Sequence, residues 1–233
     1  MSFIERYLKG DTERVYAEIY QLKEDAFDPL IFPDVNLVLQ ETFKRVAFNL
    51  GIIHEELIIA KYLFYQDTGY DWQKPLLKPP TDTDNLLLVL KSRVKNVGYI
   101  PLSLEYFYKM VGPCNLCWDY KKNSEIPWEG ADPLDIPPLK DLLEMVYDEY
   151  DNDDILLSGD DLQKDNVSGG CYNLELVKSP AIDSVLFHSN WNIPFIEYLR
   201  ITFDNCGFSM ADQCNYESLN LFCKKVKPKL RSI

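Results

Sequence analysis

From the start of the chain to about residue 75, apolar positions recur at helical spacing. Val15, Ile19 and Leu22 share one face of a helix that Asp11 is placed to cap. Asp28-Pro29 and Pro33 interrupt, and Asp34 is placed to cap a second, longer helix. Leu37, Val38, Phe43, Val46, Ala47, Leu50, Ile53, Leu57 and Ala60 form its apolar face, while Glu41, Lys44, Arg45, Glu55 and Lys61 predict a wet one. Gly51 marks a point where this segment kinks or divides. Residues 66–85 read as a connection, because Gly69, Pro75 and Pro79-Pro80 resist regular structure and 81–84 offer N-cap candidates. The run Leu86 to Leu90, with Val94 and Val97, predicts a buried helix that stops at Gly98.

Beyond 98 the pattern changes to short strands and helices of uneven length. A helix over 101–111 begins near Pro101 and stops at Gly112-Pro113. A strand is predicted over 115–120, and an amphipathic helix over 139–150 turns Leu139, Leu142, Leu143, Val146 and Tyr150 inward. Strands follow at 155–157, 171–177 and 185–187. The second alternates Tyr172, Leu174 and Leu176 against Cys171, Asn173 and Glu175. A helix over 195–203 buries Phe195, Ile196, Leu199 and Phe203. The regular strand-helix-strand rhythm of a doubly wound sheet is missing. The expected class is therefore α+β: an antiparallel sheet with packed helices on one side, plus a helical N-terminal extension. Residues 1–85 would be the extension and connection and 86–233 the α+β domain, or the two would form one compact unit.

Hydrophobic residues make up 46% and charged residues 26% of 233, the balance of a globular chain. The net charge of −13 disfavours nucleic-acid backbones and anionic membranes, and attracts a basic protein partner. No apolar run approaches the ~18 residues of a membrane helix, and the first ten residues lack a leader's uninterrupted apolar core, so a cytoplasmic protein is expected. The acidity is uneven: Asp148, Glu149, Asp151, Asp153 and Asp154 crowd one stretch, and Asp160 and Asp161 extend it. A Ca²⁺ loop would need a Gly at its sixth position and a terminal Glu, which this stretch lacks. It reads either as a solvated helix end, awkward because acids oppose the helix dipole, or as a contact patch for a basic partner. Trp128, in a loop-like segment, reads as a binding anchor or as the edge of a core.

Other chemistry is weaker. Cys114 and Cys117 have the C-x-x-C spacing but no second ligand pair, and Gly112-Pro113 precede them where a redox motif would need a strand. Ser168-Gly169-Gly170 precedes a strand, so it suits a turn and not a phosphate cradle. His188 has no nucleophile elbow near it. Lys224, Lys225, Lys227, Lys229 and Arg231 make a basic tail that either folds back on the acidic surface or stays disordered. No metal and no cofactor is expected.

The second region resembles the SUKH superfamily (Smi1/Knr4-like domains). The likeness is carried by Pro101-Leu102-Ser103-Leu104-Glu105-Tyr106-Phe107-Tyr108-Lys109-Met110-Val111-Gly112, by Asp132-Pro133-Leu134 before a helix from Leu139, by Leu157 to Asp161 and Gly169-Gly170 leading into Tyr172-Asn173-Leu174-Glu175-Leu176, and by Phe195-Ile196-Glu197-Tyr198-Leu199-Arg200. It covers roughly 100–206, and the order of the segments carries it. Val111-Gly112 stands where the family usually has Asn-Gly, and the N-terminal helices lie outside it. The resemblance implies a non-enzymatic binding protein, and among bacterial members an immunity protein that blocks a toxin, often a nuclease. The function expected is thus a protein-binding module acting through Asp148, Glu149, Asp151, Asp153, Asp154, Asp160, Asp161 and Trp128. The rivals are an enzyme built from scattered acids, Tyr and His188, and a scaffold self-associating through residues 34–64.

Overall fold

The computed structural model describes residues 1–65, 75–119, 122, 128–158, 171–188 and 191–233. Ser2 and Glu5 open the first helix, α1 (Phe3–Leu8), with a reciprocal capping box. Asp11 stands at the N-cap of α2 (Thr12–Leu22), as expected. Its carboxylate, however, pairs with Arg6 at 2.8 Å and does not bond the helix end. Asp34 does cap a helix, though not its own. It lies inside α3 (Phe32–Ile59), where its carboxylate accepts from the backbone N–H of Phe3 (2.5 Å) and Ile4 (3.1 Å) at the start of α1.

Helix α3 runs through Gly51 without dividing. Val35, Val38, Leu39, Phe43, Val46, Leu50, Ile53 and Leu57 are buried along it, close to the predicted face, whereas Leu37 and Ala60 are exposed. The face predicted to be wet is partly covered. Arg45 pairs with Glu41 at 2.8 Å, lies over the Tyr7 ring at 4.7 Å and donates to the Ser232 carbonyl at 2.9 Å. Its guanidinium holds three elements together while its stem packs.

Next come α4 (Thr83–Val94), α5 (Leu102–Met110), and a short antiparallel pair, β1 (Cys114–Asn115) with β2 (Asp135–Ile136). Among the described residues only Asn115 of the strand expected at 115–120 joins an element, and the helix expected to be buried turns Leu88 and Val89 outward. After α6 (Leu139–Met145), the strands β3 (Asp154–Ser158), β4 (Tyr172–Glu175), β5 (Val185–His188) and β6 (Trp191–Pro194) form an antiparallel meander in sequence order. Helices α7 (Phe195–Asp204) and α8 (Glu217–Val226) complete the chain. The architecture is α+β, with antiparallel sheets and packed helices. No helix among the described residues is long and apolar enough to cross a membrane.

Apolar contact crosses the expected boundary at 85. Phe43 of α3 meets Phe107 of α5 edge-on at 6.4 Å, Phe107 meets Phe195 of α7 at 5.7 Å, and one buried cluster runs from Tyr7 to Ile233. Each such side chain removed from water contributes about 1.5–3 kcal/mol.

The basic tail folds back, but onto α3. Asn49, fully buried, exchanges two 2.8 Å hydrogen bonds with the backbone of Arg231, whose guanidinium lies 3.9 Å over the Phe48 ring. Glu56 pairs with Lys225 at 2.6 Å and with Lys229. These two ammonium groups hold its carboxyl below the ordinary 4.5. The stabilisation this gives is present above 4.5 and is lost as the pH falls through the lowered value. A Glu56→Gln variant should therefore exchange the amides of residues 225–233 several-fold faster than wild type at neutral pH. The difference should fade in acid. Hydrogen exchange read by mass spectrometry checks both.

Candidate functional site

The acidic stretch begins where α6 stops. Leu139, Leu142, Val146 and Tyr150 are buried at helical spacing, but the helix ends at Met145, short of the predicted 150. Val146 has already left the helical region, with a ψ of 88°, and Glu149 takes a φ of +64°. Acids crowding a helix C-terminus oppose its dipole, so an early stop is the physical outcome.

The terminus left behind is answered by a cation from another helix. Arg93 of α4 donates through Nη1 to the carbonyls of Leu143 and Val146, the latter at 2.9 Å, and through Nε to Asp148 at 3.0 Å. The guanidinium caps the carbonyls and anchors one acid of the loop in the same geometry. Arg93→Met should lower stability by about 1.5–3 kcal/mol, the range for hydrogen bonds to a charged group. Urea denaturation reads that loss, and amide exchange in 146–153 should rise with it.

Asp148, Glu149, Asp151 and Asp153 are exposed, and Asp154 is half-buried at the start of β3. No ion pair engages Glu149 or Asp153 among the described residues. Asp154 lies directly across from Glu175 of β4, so the sheet brings a further carboxylate to the same edge. Asn173 softens this like-charge pairing by donating to Asp154 at 3.4 Å. Asp160, Asp161 and the Ser168-Gly169-Gly170 turn lie outside the described residues.

Trp128 is corrected. It is buried, with its ring 5.5 Å from Tyr62, 5.0 Å from Phe208 and 5.3 Å from Phe222, and its indole N–H donates to Ser218 at 3.0 Å. The exposed ring beside the acids is Tyr147, 52% exposed. It meets Tyr150 edge-on at 5.5 Å and donates its hydroxyl to Asp151 at 3.0 Å, and that carboxylate raises the phenol above its ordinary pKa. Met145 adds a partly exposed thioether. The spacing that turns Val146 and Tyr150 inward leaves Tyr147 outward, so the signal for it was present. Glu175 had no such signal, because strand register is not local. Carboxylates that only accept, grouped around an aromatic anchor, can take several lysine or arginine side chains at once.

The other candidates fall elsewhere. The His188 ring stacks on Tyr172 at 4.1 Å, and the hydroxyls of Tyr172 and Ser209 both donate to the buried Asp132. Cys114 and Cys117 are both buried, and among the described residues no three His, Cys, Asp or Glu side chains gather as for a metal ion. Compared with models of protein families, with curated proteins and with solved structures, the chain finds no match.

Proposed function

We propose that this chain is a non-enzymatic protein-binding module whose acidic loop, 147–154, docks on a basic partner. The observation that carries the reading is the loop itself. Glu149, Asp151 and Asp153 stand exposed around the exposed Tyr147, on a segment held at its root by Arg93. A rigid root lowers the ordering lost on binding, and an exposed tyrosine is a residue type favoured as a hot-spot anchor. The resemblance to the SUKH superfamily extends the proposal to an immunity protein that covers the active site of a basic toxin.

Paired capture tests it. Wild type and a Glu149→Lys, Asp151→Lys, Asp153→Lys variant serve as baits in lysate of the native host at low salt. Asp148 is left in place because it pairs with Arg93. The proposal expects a basic protein on the wild-type bait alone, released by salt. The same proteins on both baits would place the binding face elsewhere.

The self-association reading has one observation of its own, the exposed Ile58, Ile59 and Leu63 at the end of α3 and just beyond it. Sedimentation velocity over a range of concentrations decides it, and a strict monomer rejects it. The enzyme reading has less support, since the His188 ring is stacked on Tyr172 at 4.1 Å.

A further inference from the structure

Away from the acidic loop, a hollow of about 380 Å³ opens beside α4, floored by Phe27, Val94, Ile100 and Leu102. A second, of about 270 Å³, is lined by Tyr20, Val177 and Ile182, and Pro180 and Ala181 line both. Their walls are fixed by backbone. Tyr99 and Val177 exchange hydrogen bonds of 2.8 and 3.1 Å, and Gly98 sits so close that a side chain there would meet the Val177 carbonyl at 2.8 Å. Such hollows are pre-formed, and their size and apolar floor suit a small ligand.

The rim has the opposite sign to the net charge of the chain. Lys91 and Lys95 line the first hollow, and Lys23 and Lys178 line the second. Two carboxylates face them. Glu105 is bound to Lys91 at 2.6 Å, and Asp183 is buried, accepting from Ser103, Ser184 and Ile196. Lys178 donates to the Val97 carbonyl at 3.1 Å, which ties its ammonium to the strip between the hollows. Lys23 and Lys95 meet no carboxylate among the described residues. On a chain of net charge −13, this leaves an apolar trough edged by uncompensated cations.

We propose that the paired hollows bind an amphipathic organic anion of the medium-chain carboxylate class. The chain lies over Val94, Ile100 and Leu102, and the head group sits between Lys95 and Lys178. Apolar burial supplies the affinity, and the cations select an anion over a neutral analogue of equal length.

Octanoate is the probe, with octanol as its uncharged counterpart, and methyl carbon–proton NMR is the readout. Octanoate should shift the methyl resonances of Val94, Ile100, Leu102 and Ile182 along one saturable curve, about tenfold tighter than octanol. Lys95→Glu with Lys178→Glu should remove that preference and leave octanol unchanged. Ala181→Phe, placed where the hollows meet, should weaken both ligands. If that variant does not fold, the lysine pair decides alone, since both side chains are on the surface. No saturation with octanoate, shifts confined to other methyls, equal affinity for the two probes in wild type, or a preference that survives lysine reversal would each overturn the proposal.

Discussion

Replacing Trp128 with Ala is expected to lower the unfolding free energy by about 3–5 kcal/mol, the range for deleting a large buried aromatic. The ring joins parts of the chain that are distant in sequence: Tyr62 beyond α3, Phe208 beyond α7 and Phe222 on α8. Its loss opens a cavity among aromatics and removes the indole's hydrogen bond to Ser218. Trp128→Phe keeps most of the packing and forfeits the hydrogen bond, so it should lose only about 1 kcal/mol beyond the ring's lost area. Urea unfolding with both variants separates the two parts. The same pair addresses function, since a structural Trp128 predicts that the Phe variant binds any captured partner as wild type does. Lost binding at unchanged stability would return Trp128 to the contact face.

Asp183→Asn is expected to change the pH dependence of stability by about 3 kcal/mol. The carboxyl is buried where the starts of α5, β5 and α7 meet, accepting from the Ser103 hydroxyl (2.7 Å) and from the backbone N–H of Ser184 and Ile196 (both 3.0 Å). Burial pushes its pKa up from 3.8 to about 6, against the pull of those donors and of Arg200. The neighbouring Tyr16 and Tyr20 phenols, both raised, stay neutral in this range. A group whose folded pKa lies above its unfolded value contributes stability that is complete below about 3.8. That contribution fades as the pH rises through about 6. The rise corresponds to about 3 kcal/mol. The asparagine variant cannot titrate, and it turns a donor toward one N–H. It should therefore be clearly weaker than wild type at pH 4 and lose less on going to pH 8. Denaturation at several pH values gives the difference between the two curves. A difference that moves the other way with pH would mean that the three donors outweigh burial.

The sequence was most legible where one local period decided the structure. The inward faces of α3 and α7, and the alternation of Tyr172, Leu174 and Leu176, emerge much as the pattern predicts. So does the α+β class. The capping box of α1 is also legible, as Ser2 followed three residues later by Glu5. Features set by a second, distant segment were not legible. Asp34 lies in one helix and caps another, and Arg93 ends α6 from α4. Strand β6 contains Trp191 and Pro194 and pairs along its length with β5, which a loop-like composition concealed. Leu88 and Val89 were read as buried because a continuous apolar run carries no face of its own, and only packing chose Leu87 and Leu90.

The candidate site divides along the same line. The acids were plain in the composition, and their exposure follows from the early end of α6. Trp128 was misplaced because a residue in an irregular segment has no periodicity to say which way it points. Tyr147 was the better reading of the same pattern. The contribution of Glu175 depends on a cross-strand register that only the sheet supplies.

The central claim is that the exposed acids of 147–154 steer a basic partner onto Tyr147. The measurement that tests it most directly is the association rate constant with a captured partner, followed as a function of ionic strength. Wild type should associate fast at low salt and slow steeply as salt rises. Reversal of Glu149, Asp151 and Asp153 should lower the low-salt rate by about ten- to a hundred-fold and flatten the dependence. Tyr147→Ala should act chiefly on dissociation. Equal rates and equal salt slopes for wild type and the reversed variant would contradict the account.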